Sequence, residues 1–322
     1  MASNMAQTSS WRARRVLVTG GGGFIGSRLC RRLAGEGAEV HAVGRREPSH
    51  LAGIAQTWAR DVAQQGAVQE LMGAVRPDVI FHLASAVTGN RDLSQVWPTF
   101  HNNLASTVNL LIEATKAGCE RIVLTGSMEV PREGTADGIP PSPYAAAKWA
   151  SGVYARMFHA LYACPVVILR VFMVYGPEQP DRTKLIPYVT GCFLDGTAPE
   201  LSSGERPVDW IYVDDVVGAH MEAARARGAV GRSFDVGSGT RVTIRAVVQR
   251  LAELVGTGVV PLFGALPDRP LEEAPVADVE ETHRLLGWRA TTDLDEGLRR
   301  TVEWLRAERG DRAHRAGSAG DF

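Results

Sequence analysis

A chain of 322 residues with 45% hydrophobic side chains is long enough to bury a sizeable core in one large or two small domains. Its formal net charge of −1 argues for no particular partner, where nucleic acid or an anionic membrane surface would favour a basic face, and no apolar run approaches the ~20 residues of a membrane helix. Cys30, Cys119, Cys164 and Cys192 lie far apart, without a CxxC or a Cys/His ligand spacing. They read as free thiols of a reducing compartment rather than a metal site. Residues 1–14 lack the apolar core of a signal peptide, so a disordered N-terminal tail on a cytoplasmic protein is expected.

The first ordered element is Arg15-Val-Leu-Val-Thr, a β-branched apolar run that reads as a buried strand. It leads into Gly20-Gly-Gly-Gly23-Phe24-Ile25-Gly26 and an amphipathic helix over 27–34. Strand, glycine turn and helix in that order form a dinucleotide fingerprint. Gly20 makes the tight turn, Gly23 lets backbone approach a pyrophosphate, and Gly26 allows close helix packing, with the helix N-terminus facing the phosphates. A second strand ends at Gly44, where such folds often place an acid for the ribose 2′-hydroxyl. Arg45 and Arg46 follow instead. They could clasp a 2′-phosphate and favour NADP, or be loop charges with Arg45 stacked on adenine. After a third strand-like stretch come Asp61 and Val62.

Alternation continues, with a helix over 68–75, a strand over 78–84 whose end brings Leu83, Ala84 and Ser85 to the cofactor, and a long helix over 98–117 carrying Asn103. A strand over 121–126, a second long helix over 144–162 and a strand over 165–171 follow. Repeated β-α-β with near-continuous apolar strands predicts an α/β, Rossmann-type doubly wound parallel sheet covered on both faces. Ligands then belong at the C-terminal ends of the strands.

That rule puts Ser127 beside the cofactor crevice. Tyr144 and Lys148, four apart near a helix start, face the same way, and Lys148 is one of only three lysines in the chain. A nearby ammonium favours a phenolate. Tyr144 can then take a proton from a substrate hydroxyl as hydride leaves the same carbon for nicotinamide, while Ser127 hydrogen-bonds the reacting oxygen. Asp214 and Asp215 open a helix, where acids complement the dipole, and are not read as a metal pair. Trp288 and Trp304 read as core anchors of a small C-terminal packing unit.

In order, TGGGGFIG, HLA, Asn103 in HNNLASTVNLL, GSMEV, SPYAAAK, LRVFMVYGP, DWIYVDDV and LLGW resemble the extended short-chain dehydrogenases, in their nucleotide-sugar epimerase and dehydratase branch. The resemblance implies a Rossmann domain over 15–174, a smaller, mainly nucleotide-sugar-binding α/β domain over 175–305, and a flexible tail over 306–322. It also implies a homodimer formed through the two long helices and a nicotinamide cofactor that is reoxidised within each turnover. NAD suits such internal recycling, with NADP left open by Arg45 and Arg46. In the 4,6-dehydratases of the branch, a hydroxyl residue, an acid and a glutamate base end the fifth strand. Here Ser127 and Glu129 match the first and last, and Met128 stands where the acid would be. A thioether donates no proton. The family's Asn before Val-Tyr-Gly-Pro is Met173. Thr88, Arg206 and Arg269 are further substrate candidates, the two arginines for the diphosphate of a nucleotide sugar, UDP-linked by preference. A retained base beside a missing acid resembles the UDP-N-acetylglucosamine 5,6-dehydratase kind of tunicamycin-type antibiotic pathways. The expectation is a redox-neutral dehydratase, with a 4-epimerase, an NADPH-dependent ketoreductase and a dinucleotide sensor as the alternatives.

Overall fold

The computed structural model of the chain describes residues 11–131, 138–268 and 275–318. It alternates β1 (Arg15–Thr19), α1 (Phe24–Gly35), β2 (Glu39–Gly44), β3 (Gln56–Ala59), α2 (Gln65–Val75) and β4 (Val79–His82). There follow α3 (Val96–Thr99), a π-helical turn over Phe100–Ala105, α4 (Ser106–Ala117), β5 (Arg121–Ser127), α5 (Pro143–Tyr162) and β6 (Val166–Val171). Next come β7 (Met173–Tyr175), α6 (Leu185–Leu194), β8 (Glu200–Leu201), β9 (Pro207–Tyr212), α7 (Val213–Arg225) and β10 (Ser233–Val236). The chain closes with β11 (Arg241–Thr243), α8 (Ile244–Val255), β12 (Leu262–Phe263), α9 (Val279–Leu286) and α10 (Leu294–Ser318). No described helix is long and apolar enough to cross a membrane.

Two compact units divide these elements. The first comprises Met1–Val171, Val217–Val236 and Glu280–Trp288. Its seven-stranded sheet runs in the order β10-β6-β5-β4-β1-β2-β3, and every pairing is parallel. The apolar runs explain it. Val16, Leu17, Val18, Ile80, Phe81 and Val123 have no exposed surface, as strands buried on both faces require. Leu17, Ile80, Ile122 and Ile168 pack with Leu71, Leu110 and Phe158 from the helices. Because all seven strands point one way, Thr19, Gly44, His82 and Ser127 emerge at one edge. This is the Rossmann-type α/β fold read from the alternation.

The second unit comprises Phe172–Val216, Gly237–Val279 and Arg289–Phe322. A three-stranded sheet, β11-β9-β7, and a two-stranded one, β12-β8, surround a core of Tyr175, Phe193, Trp210, Val247, Leu251 and Leu298. The fully buried Asp209 carboxylate accepts from Ser238 N (2.7 Å), Ser238 Oγ (2.8 Å), Gly239 N (3.1 Å) and Ala277 N (3.0 Å). Four donors compensate a charge that would otherwise be costly there.

Three segments differ from expectation. Residues 11–14 are ordered rather than part of a tail: Trp11 is buried against Phe81, and Ala13 N–H donates to Gly37 O at 2.9 Å. An indole at that place outweighs the polar residues around it. The long helix expected over 98–117 begins at Val96 and widens into a π turn around Asn103. The last helix continues past Glu308 to Ser318, because Arg, Ala and Glu are strong helix formers and Glu308 and Arg309 pair with Arg182 and Asp195. Trp288 is a buried anchor, whereas Trp304 is half-buried beneath the Arg182 guanidinium, 4.9 Å from the ring centre.

Candidate active site

At the end of β1 the chain must turn tightly, and Gly20 does so at φ 70°. A Cβ on Gly20 would lie 2.7 Å from Ala84 N, and one on Gly26 would lie 2.2 Å from Gly20 O. Both glycines are therefore demanded by packing. Gly23 differs: a Cβ there would meet only Gly20 O, at 3.1 Å, so it keeps the surface open. It also caps α1, whose first turn, with half-buried Phe24 and Ile25, carries no acid and no side-chain cap. The first N–H groups of a helix lack intrahelical partners and its dipole favours an anion there, an arrangement suited to a diphosphate.

Beside this turn lies a cavity of ≈ 170 Å³, lined by Gly20, Arg45, Arg60, Asp61, Val62, Ala84 and Ser85 among others. Leu83 is half-buried and donates its N–H to Thr19 O. Arg46 is exposed and Arg60 takes a place on the wall instead. Sequence reasoning missed Arg60, whose one signal was its position directly before Asp61. Asn103 is buried behind the wall and its neighbour Asn102 lines it. The Asn103 Oδ1 accepts from Ala86 N at 2.7 Å and Ser85 Oγ at 3.1 Å. A glycine turn under an uncapped helix, with a cavity running to the ends of β2 and β3, fits a dinucleotide.

The chemical groups stand one strand further on. Ser142 caps α5, its Oγ accepting from Ala145 N at 3.1 Å, and Pro143 occupies the first turn. Tyr144 and Lys148, one turn apart, are both buried. Lys148 Nζ donates to Thr125 O at 2.8 Å, and burial lowers its pKa to about 8. Tyr144 is hydrogen-bonded to Ser127. Burial first, and the Glu129 carboxylate second, push its phenol up to about 12 against that bond. The sequence suggested the opposite balance, with the Lys148 ammonium favouring the phenolate. In the structure desolvation wins, and the ammonium is committed to a backbone carbonyl.

Ser127 ends β5 and its Oγ also accepts from Glu129 N at 3.2 Å. Glu129 is half-buried, and its Oε2 accepts from Ser142 Oγ at 3.4 Å. Met128 between them is half-buried and extends the β5–β6 ladder through Met128 N to Val171 O at 3.1 Å. Ser142 and the buried His220, whose Nε2 is 2.9 Å from Thr125 Oγ1, were not foreseen. The cap position in Ser-Pro-Tyr was the available signal for Ser142. His220 had none.

The substrate candidates are divided between the two units. Thr88 sits in the loop after β4, its Oγ1 accepting from Asn90 N at 3.0 Å. Met173 and Arg206 belong to the second unit, Met173 pairing with Trp210 and Arg206 O accepting from Ile244 N. Val208, two residues after Arg206, is core. Arg269 lies outside the described residues. Asp215 is engaged by Thr291 N, Thr291 Oγ1 and Thr292 N at 3.0, 2.8 and 3.0 Å, which ties down the loop before α10 beyond any helix-dipole role.

Residues 16–237 match the NAD dependent epimerase/dehydratase family. The chain is 31% identical over 318 residues to the UDP-glucose 4-epimerase of Mycolicibacterium smegmatis, covering 91% of this chain and 98% of that protein. It is 30% identical over 328 residues to a probable dTDP-glucose 4,6-dehydratase of Sinorhizobium fredii, with 90% and 92% covered. Among solved structures, the UDP-glucose 4-epimerase of Thermotoga maritima with UDP-glucose superposes with a TM-score of 0.84 at 26% identity, covering 91% and 99% of the two chains.

Proposed function

The chain belongs to the NAD dependent epimerase/dehydratase family, and from that premise we propose that it is a redox-neutral nucleotide-sugar dehydratase acting on a UDP-linked hexosamine. The glycine turn after β1 and the cavity wall at Arg45, Asp61, Ala84 and Ser85 would hold NAD, which would supply the hydride acceptor. The chain's own residues do the rest. Tyr144 takes the proton of the C4 hydroxyl as its hydride departs, and Ser127 hydrogen-bonds the same oxygen. Lys148 places a positive charge behind the phenol. The C4 ketone acidifies the C5 proton, which Glu129 removes. The C6 hydroxyl then departs, and because Met128 offers no proton, Glu129 returns the one it has taken, so that water leaves. Hydride returned to C4, with the Tyr144 proton returned to the C4 oxygen, gives a 5,6-alkene with the C4 hydroxyl restored, and hydride returned to C6, with that proton delivered to C5 instead, gives a 4-keto-6-deoxy sugar.

The observation that carries this reading is Glu129. It follows Ser127 by two residues, its charge bears on Tyr144, and Ser142 donates to it. A 4-epimerase needs only Ser127, Tyr144, Lys148 and room for the sugar to turn. The likeness to the mycobacterial 4-epimerase favours that second reading. We further propose a homodimer through α3, the π turn and α5, which expose Trp97, Phe100, Trp149, Val153 and Tyr154. A panel of UDP- and dTDP-hexoses, incubated without added reductant and followed by mass spectrometry, separates the readings. A product lighter by one water is expected, and Glu129→Gln should abolish it. An equal-mass isomer formed at the parent rate by that variant would make the protein an epimerase.

A further inference from the structure

Behind the ligand-facing edge, a buried histidine that the proposed mechanism leaves unused joins three elements. His82 ends β4 and is 2% exposed. Its Nδ1 lies 2.7 Å from Thr19 Oγ1 at the end of β1, and its Nε2 lies 3.1 Å from Thr107 Oγ1 on α4. The hydroxyls' other partners fix the direction of each bond. Thr107 Oγ1 donates its one proton to Asn103 O at 2.7 Å, so towards the ring it can only accept, and Nε2 carries the hydrogen. Nδ1 is then an acceptor and Thr19 donates to it. That leaves Thr19 Oγ1 to accept from Ala84 N–H at 3.3 Å. From Ala84 N–H to Asn103 O, every link has one donor and one acceptor. A charged ring would present two donors where there is place for one. Burial and the charge of Lys148 hold its pKa down at about 3.

Both ends of this chain of bonds hold backbone that faces the cavity. Ala84 and Ala86 line it, as do Thr19 and Gly20. The Gly20 turn comes so near that a Cβ there would touch Ala84 N. Asn103, at the far end, grips the same loop with its side chain, Nδ2 donating to Ala86 O at 3.2 Å and Oδ1 accepting from Ala86 N at 2.7 Å. Its carbonyl, in the π turn, is reached by Thr107 and also by Ser106 and Ser151 hydroxyls, at 3.3 and 3.2 Å. π turns recur where a helix must place one group out of register.

We propose that His82, as the neutral Nε2–H tautomer, is a positioning residue for the dinucleotide. It sets the spacing between the glycine turn after β1 and the segment Ala84–Ala86 after β4, and with it the tightness of NAD retention. This rests on the cofactor reading above.

The test is to purify the full chain without added nucleotide, measure the NAD released on denaturation, and titrate NAD back into the stripped protein. The parent should retain NAD. His82→Leu, checked for a parent-like melting transition, should bind it about tenfold more weakly, the effect of breaking a buried hydrogen-bond chain. Thr107→Val, close in shape, should weaken binding in the same direction, and the double variant should be no worse than His82→Leu alone because both cut one chain. In the parent, ¹⁵N spectra should show the His82 ring protonated at Nε2. Unchanged NAD affinity in folded His82→Leu, or in Thr107→Val should the former not fold, overturns the proposal. So do additive effects or an Nδ1–H tautomer. A parent that takes up no NAD at all overturns the cofactor reading with it, which distinguishes the two failures.

Discussion

Lys148 keeps an ammonium where burial opposes one, and the cost should be measurable. Its pKa, lowered from 10.5 to about 8, means that between these values the unfolded chain binds more protons than the folded one, so stability rises with pH across that window. Over it the parent should gain up to about 3 kcal/mol relative to Lys148→Met. The usable range ends near pH 10, because Tyr144, whose pKa is raised from 10.0 to about 12, begins to lose its contribution there. Denaturant melts of both proteins at pH 7.5 to 10 test this, and parallel curves would mean that Lys148 is not desolvated as described. At this scale the sequence made Tyr144 and Lys148 legible because helical spacing is local. It was silent on the polar contacts made between distant elements. His220 meets Thr125 across 95 residues and His82 meets Thr19 across 63, distances over which no pattern in the chain pairs two side chains.

The glycine turn is the element that the sequence described best, and its three glycines are not equivalent. Gly26→Ala must drive a Cβ into Gly20 O, with an expected cost of about 1–3 kcal/mol. Gly73→Ala, in α2 with nothing within 4 Å of its Cβ, should be neutral or stabilise by about 0.5–1 kcal/mol. Thermal melting of the two variants gives the comparison, and equal effects would remove the steric reading of Gly26. The parallel sheet follows from the β-α alternation of apolar runs, whereas its edge strand β10 was not foreseen. The π turn over Phe100–Ala105 does not, because those residues fit an α-helix equally well and the widening is imposed by what Asn103 grips. The ordering of residues 11–14 rests on long-range contacts, Trp11 against Phe81 and Ala13 N–H to Gly37 O among them, that composition cannot reveal.

Across the whole molecule, the exposed side chains on α3, the π turn and α5 make one further claim. Trp97, 69% exposed and stacked on Phe100 at 5.5 Å between ring centres, is an unusual residue to leave to water. Trp97→Glu should convert the proposed dimer to monomer in sedimentation equilibrium, and a parent that is already monomeric would sink the dimer. Ser127, Glu129, Tyr144 and Lys148 all belong to the unit of the parallel sheet, while Met173 and Arg206 belong to the other, and each unit closes around its own core. Packing errors in one core are therefore not errors in the other. Under selection, substitutions can accumulate around Tyr175, Trp210 and Leu251 while the proposed oxidation site is conserved intact, so that descendants of this chain would inherit a chemistry and diversify in what they feed to it.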